Sequence, residues 1–255
     1  MNAIQNDLPA LSIYMQTIDI PGFTSILKNS IVPLSALQEP GGYNIFHNIA
    51  DCFVKESYLL EYLEILISEF HDRYFDEANE MIKLMLNQTG GREKQTPLMC
   101  AAKHNRRVIP MQRLLKELIS LGGDFWRKDI NGHNLVHISA SNGNESILVY
   151  LCFTLKMSYV ETDVNKRSPL HLACLENQVG TGMLLIAWNE ELDQQDAEGL
   201  TPLHLAVLSQ SYKLVRNLII MRAQKKIRDG KGQIPLDLAF SRGDNSIVKL
   251  LVGFM

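Results

Sequence analysis

Three histidines recur at near-regular spacing, His137, His171 and His204, and imidazole is the side chain most often used to ligate zinc or to shuttle protons. Each sits inside a repeated phrase. Ser168-Pro169-Leu170-His171-Leu172-Ala173, Thr201-Pro202-Leu203-His204-Leu205-Ala206 and Ile234-Pro235-Leu236-Asp237-Leu238-Ala239 are one pattern written at intervals of 33 residues. Asp163, Asp196 and Asp229 mark the same period upstream. A fixed period of this length means stacked supersecondary units, and equivalent residues on packed neighbouring helices lie roughly 10 Å apart. Zinc holds its ligands within about 2.1 Å. The histidines are therefore expected to be frame residues that bond turn backbone between units, and not a metal ladder.

No other constellation supports catalysis. Cys52, Cys100, Cys152 and Cys174 are widely spread within apolar stretches and form no C-x-x-C, so they read as small core hydrophobes in a reducing compartment. His133 and His137 are four apart, but His133 falls in a turn and no H-E-x-x-H is present. G-x-S-x-G and G-x-x-x-x-G-K-[ST] are absent, and Gly180-Thr181-Gly182 is expected in an inter-helix loop without a preceding strand. No cofactor is expected, and the chain does not read as an enzyme.

The elements that carry the pattern are legible in the unit from Asp196 to Arg228. Asp196-Ala197-Glu198-Gly199-Leu200 is a turn, with Gly199 available for positive φ. Thr201 is placed as an N-cap and Pro202 at the first helical position, where its missing N–H costs nothing. Leu203, Leu205, Ala206 and Leu208 give a short helix its apolar stripe; Ser209-Gln210-Ser211 breaks it. Leu214, Val215, Leu218 and Ile219 supply the stripe of a second helix. Neither stripe can be buried alone, so the units must stack.

T-P-L-H-x-A at this spacing resembles the ankyrin repeat, a β-turn followed by two antiparallel helices. The resemblance implies an all-α solenoid of helix-turn-helix units joined by β-turns. It covers residues 129–255 as regular repeats, with the last copy incomplete, and residues 41–128 irregularly. Ala140, Ala173, Ala206 and Ala239 supply the family's small residue after the motif. Asn134 stands in for the capping Thr, and Met99 takes the His position after Thr96-Pro97-Leu98. Met99 to His137 is 38 residues, which places about five extra residues near Arg106 to Met111. His47 to Met99 is 52 residues, some 19 beyond the period, which predicts an added helix near 75–86. Residues 1–40 fit no period and read as a partly helical N-terminal cap.

The last segment, Leu250-Leu251-Val252-Gly253-Phe254-Met255, is apolar where terminal repeats normally carry a polar face. A fragment of a longer protein, an end docked on a partner and an ordinary packed final helix all fit. The stretch from Arg228 to Asp237, with this apolar end, loosely resembles the last ankyrin repeat of DHHC-type palmitoyltransferases. That likeness implies, as the alternative, a regulatory or substrate-docking domain of a larger membrane enzyme or channel.

Net charge is −3 over 255 residues, so the whole chain is no electrostatic nucleic-acid binder. No apolar run approaches the roughly 20 residues of a spanning helix, and the N-terminus has no secretory pattern. The chain reads as cytoplasmic, at a membrane surface only through a missing C-terminal part or a partner. Charge is segregated. Residues 51–80 hold nine acidic side chains against Lys55 and Arg73, and residues 92–128 hold nine basic ones against Glu93, Glu117 and Asp124. A second basic cluster is Arg222, Lys225, Lys226 and Arg228. Either these are solvated faces, or they seek an acidic peptide or an anionic membrane surface.

The resemblance implies a protein-interaction module, with turn tips and the exposed side of the first helices binding a partner segment on a concave face. On this chain those positions include Trp126, Arg127, Ile130, His133, Val164, Lys166, Arg167, Leu200 and Lys231. Trp126 stands where other units have Val160, Asp193 and Lys226, so the repeat does not require a large apolar group there. It is either a binding anchor or a filler beside an irregular repeat. Trp188, at the end of a second helix, is expected to pack.

Overall fold

The computed structural model describes residues 8–30, 33–39, 41–52, 56–103, 112–188 and 191–253. Among these, helices and turns make up the fold, with no strand beyond two isolated bridges. The chain divides into two compact units, Met1–Ile130 and Asn131–Met255.

The second unit stacks four helix pairs: α8 (Leu135–Ser141) with α9 (Glu145–Val149), α10 (Pro169–Leu175) with α11 (Val179–Trp188), α12 (Pro202–Leu208) with α13 (Tyr212–Ile220), and α14 (Pro235–Arg242) with α15 (Asn245–Gly253). First helices pack on first helices and second on second. Leu170, Leu203, Leu214, Val215 and Leu218 are wholly buried between them. The final unit, which the sequence pattern left incomplete, has both helices. Arg106–Met111 and Phe254–Met255, singled out in the sequence, lie outside the described residues.

The period here is not uniform, and the irregularity has a structural cause. Asp129 to Asp163 is 34 residues, against 33 for the next two steps. The extra residue falls between Gly143 and Asp163, where α9 runs into a π-helical turn, Tyr150–Thr154, and the Leu155 N–H reaches back five residues to Tyr150 O at 3.2 Å. The shift also re-registers the small residues. Ala140 corresponds to Cys174 rather than to Ala173, although Ala140, Ala173, Ala206 and Ala239 are all fully buried.

Gly180-Thr181-Gly182 is not a loop; it forms the first turns of α11. Small side chains there allow close approach. A Cβ on Gly182 would stand 2.6 Å from Leu214 Cδ2 of α13, while Thr181 Oγ1 donates to Ala140 O at 2.9 Å.

The first unit holds two pairs of the same kind, α3 (Ile45–Asp51) with α4 (Glu56–Tyr74) and α6 (Pro97–Lys103) with α7 (Gln112–Ser120). Between them lies α5 (Ala78–Leu86), packed on α4. Ahead of them, α1 (Leu8–Thr17) packs on α3, and α2 (Ile20–Asn29) packs on α4. Leu8, Leu11, Met15, Phe23 and Leu27 are fully buried, with Phe23 4.7 Å from the ring of Tyr62. Arg73 closes the C-terminal end of α2. Its guanidinium pairs with Glu69 at 2.8 Å and donates to Ser30 O at 3.1 Å and to Leu27 O, carbonyls the helix itself cannot satisfy.

Candidate functional site

Three turns of the second unit are each folded by an aspartate. Asp163 Oδ1 accepts from the N–H groups of Asn165 and Arg167, both at 2.8 Å. Asp196 Oδ1 does the same for Glu198 and Leu200, both at 2.9 Å, and Asp229 Oδ1 for Lys231 at 2.9 Å and Gln233 at 2.8 Å. Successive turns are then tied by one backbone bond apiece: Val164 N–H to Asn131 O, Ala197 N–H to Asn165 O, and Gly230 N–H to Glu198 O.

The repeated histidine joins helix to turn. His171 Nδ1 accepts the Ser168 N–H at 3.2 Å and Nε2 donates to Gln194 O at 2.9 Å. His204 repeats this with the Thr201 N–H at 3.1 Å and Gln233 O at 3.2 Å, and His47 with the Asn44 N–H at 3.1 Å and Gln95 O at 3.0 Å. Burial pushes all of these imidazoles below the usual range, His47 and His137 to about 4. They are neutral frame groups. Among the described residues no cluster of three or more His, Cys, Asp or Glu is arranged to hold a metal ion. The four cysteines are buried thiols, and burial pushes Cys100 and Cys152 up to about 12.

This frame sorts the residues singled out in the sequence. His133, Arg167 and Leu200 share one turn position, four residues after the aspartate, and that position faces the following turn. His133 Nε2 lies 3.1 Å from Asp163 Oδ2. Arg167 Nε pairs with Asp196 Oδ2 at 3.0 Å, and its Nη2 with Glu198 Oε1 at 3.1 Å. Leu200 is only 8% exposed, so it is a core residue rather than a contact residue. The positions one after and three before the aspartate point outward instead: Val164 is 66% exposed and Val160 43%. Val160 is the counterpart of Trp126, and nothing in its residue type marks it as exposed.

In the first unit, Trp126 is 60% exposed and Ile130 59%. Asn87, just past α5, holds this turn: its Nδ2 donates to Gly122 O at 2.9 Å and its Oδ1 accepts the Asp124 N–H at 2.8 Å. Asp124 in turn accepts the Trp126 N–H at 3.0 Å and pairs with Arg127 at 3.6 Å. Trp188 packs, edge-on to Phe153 with ring centres 4.9 Å apart.

Lys166 occupies the third position after the aspartate, where Gly132, Gly199 and Gly232 adopt φ near +78°, and it carries φ +58° itself. Lys231 is exposed. Within the basic turn, Lys225 Nζ donates to Leu251 O at 3.2 Å and Arg228 donates to Gly232 O, while Arg222 and Lys226 are exposed.

Stacked helix pairs joined by aspartate-folded turns, with a histidine spanning cap and turn, define a repeat protein of the ankyrin class. The sequence profile described as Ankyrin repeats (3 copies) matches residues 107–187 and 182–254, and the chain belongs to that family. Ankyrin repeats generally serve as protein–protein interaction modules without catalysis of their own. The chain is also similar to the Nuclear factor NF-kappa-B p105 subunit of Rattus norvegicus, 24% identical over 189 residues. That match covers 73% of this chain but only 17% of the relative. Among the described residues no helix is long and apolar enough to cross a membrane.

Proposed function

We propose that the protein binds a segment of a protein partner through its turn tips and the exposed side of its first helices, as a scaffold or recruitment domain without turnover. The observation that carries this reading is the exposure of large apolar groups at turn positions the frame does not need. Val160 and Val164 in the second unit, and Trp126 and Ile130 in the first, stand out from turns whose bonds are made by backbone and aspartate. A 60% exposed indole fills no packing gap, and tryptophan is the residue most enriched in binding hot spots. Lys166 adds to this, because a left-handed non-glycine residue among glycines points to a side chain retained for use. The relative's name, a subunit, fits a protein that works in an assembly.

Arg127, Lys166 and Lys231 are the polar contacts of this proposal. His133 and Arg167 orient the turns and contribute indirectly. The basic turn has weaker support as a membrane contact, since Lys225 and Arg228 are engaged with backbone carbonyls. The alternative of a docking domain for a membrane enzyme rests on sequence resemblance alone.

Affinity capture from native extract, with wild type beside Trp126→Ala and Val164→Ser, tests the reading. Partners held by the tips are lost from at least one variant. An unchanged set of captured proteins in both variants overturns the assignment.

A further inference from the structure

We infer that the side of the second unit formed by α11, α13 and α15 is a separate docking groove, and that it takes an acidic amphipathic segment of a partner protein. This rests on a different face from the turn tips and does not depend on their role.

The charge on these helices is of one sign. Across Val179–Trp188, Tyr212–Ile220 and Asn245–Gly253 there are three charged side chains, Lys213, Arg216 and Lys249, and no acid. All three are exposed, and none makes an ion pair or side-chain hydrogen bond among the described residues. The turn side differs: there Arg167 is matched by Asp196 and Glu198. An acid in the depression toward α15, Asp244, is occupied in capping that helix, its Oδ1 accepting from Ser246 at 3.0 Å and Ile247 at 3.1 Å.

Beside the cations lies exposed apolar surface. Met183, Tyr212 and Ile220 are 46%, 47% and 51% exposed, although they sit on helices whose other faces are fully buried. Tyr212, Arg216 and Ile220 follow one another at four-residue steps along α13, so apolar and cationic groups share one stripe. Two depressions flank that stripe and share Tyr212. One, of about 470 Å³, lies toward α11 and includes Met183, Lys213 and Arg216; the other, of about 760 Å³, lies toward α15 and includes Lys249.

Grooves of this shape accept an amphipathic helix whose apolar residues recur at i, i+4 and i+7. Unmatched cations on α13 and α15 select Asp and Glu beside those residues. A second copy of this chain is disfavoured, because isologous pairing of the face would bring like charges together. An anionic bilayer is disfavoured as well, since electrostatic membrane clusters number about four to eight cations and this face has three.

The test is selection of a random displayed-peptide library on the purified protein, followed by fluorescence anisotropy of the consensus peptide. The expected consensus combines Asp or Glu with Leu, Phe or Met at helical spacing. Its binding weakens at least about tenfold in Lys213→Glu/Arg216→Glu and also in Ile220→Ser, whose exposed positions leave the fold intact by circular dichroism. Trp126→Ala/Lys166→Ala binds it unchanged, which separates this groove from the turn tips. A consensus without acidic enrichment, or equal binding by both groove variants, overturns the inference. So does co-flotation with phosphatidylserine vesicles that the peptide does not compete, or concentration-dependent dimerisation abolished by the groove variants.

Discussion

His171 reaches Gln194: the Nε2–H of the first residue donates to the carbonyl of the second at 2.9 Å, while Nδ1 accepts the N–H of the helix cap Ser168. One neutral ring thus closes a helix start and fastens it to the next turn. Asp237 holds the same place in the final unit but makes only the first of these bonds, to Ile234 N–H at 3.0 Å, from an exposed carboxylate. The two residues are therefore unequal in energy. His204→Ala leaves the buried Thr201 N–H without its partner and removes one of the two donors to the Gln233 carbonyl, which keeps the Asp229 N–H at 2.9 Å, and should cost about 2 kcal/mol. Asp237→Ala should cost about 0.5 kcal/mol. Thr201→Val, which removes the cap hydroxyl that also meets His204 Nδ1 at 2.8 Å, should fall between them at about 1 kcal/mol. Urea denaturation of the three variants checks the order; equal losses for His204→Ala and Asp237→Ala would show that the second bond contributes nothing.

The same histidines set a pH dependence. Burial lowers their folded pKa values, to about 4 for His47 and His137 and downward for His171 and His204, from an ordinary value of 6.5. Between these limits the unfolded chain binds protons that the folded chain refuses, so stability rises with pH across that window. Acidification from pH 7 should lower the urea midpoint steeply between about 6.5 and 4. His137→Gln together with His204→Gln should flatten that part of the curve even though both variants start less stable. A midpoint insensitive to pH in this range would mean the rings are not held neutral.

What the sequence made legible was whatever the frame repeats. Caps, turn aspartates and the bridging histidines follow from local chemistry, and the structure places them where the period puts them. Leu200 holds a turn position that the family resemblance makes an outward one, yet its side chain is buried. The π-helical turn at Tyr150–Thr154 left a signal, the 34-residue step after Asp129, but a one-residue excess does not say which helix absorbs it. Val164 was marked by its turn position, whereas Val160 and the α11–α13–α15 groove left no signal. Apolar residues look alike in a sequence whether neighbours cover them or not, so exposure had to come from packing.

Two glycines in α11 should respond oppositely to alanine. On Gly182 a Cβ meets Leu214 Cδ2 at 2.6 Å, and Leu214 is fully buried, so α13 would have to move. Overpacking of this kind costs about 1–3 kcal/mol. On Gly180 the obstacle is the end of the exposed Glu145 side chain, which can swing away. There the better helix propensity of alanine should win, stabilising by about 0.5 kcal/mol. Thermal melts of the two single variants distinguish the cases, and destabilisation by both would mean that Glu145 is fixed.

Lys166 separates frame from function most directly. Its φ of +58° sits where neighbouring turns use glycine, and a non-glycine residue in that region costs roughly 1 kcal/mol. Glycine relieves that cost but makes the unfolded chain more flexible, which returns part of the gain. Lys166→Gly should therefore match or exceed wild-type stability by up to about 0.5 kcal/mol, while Lys166→Ala, with the same backbone demand, should not. If the side chain is retained for contact with a partner, the glycine variant will be the more stable protein and the weaker binder. Urea denaturation and partner capture on the same variant decide it: a gain in stability with undiminished capture would remove Lys166 from the interaction surface.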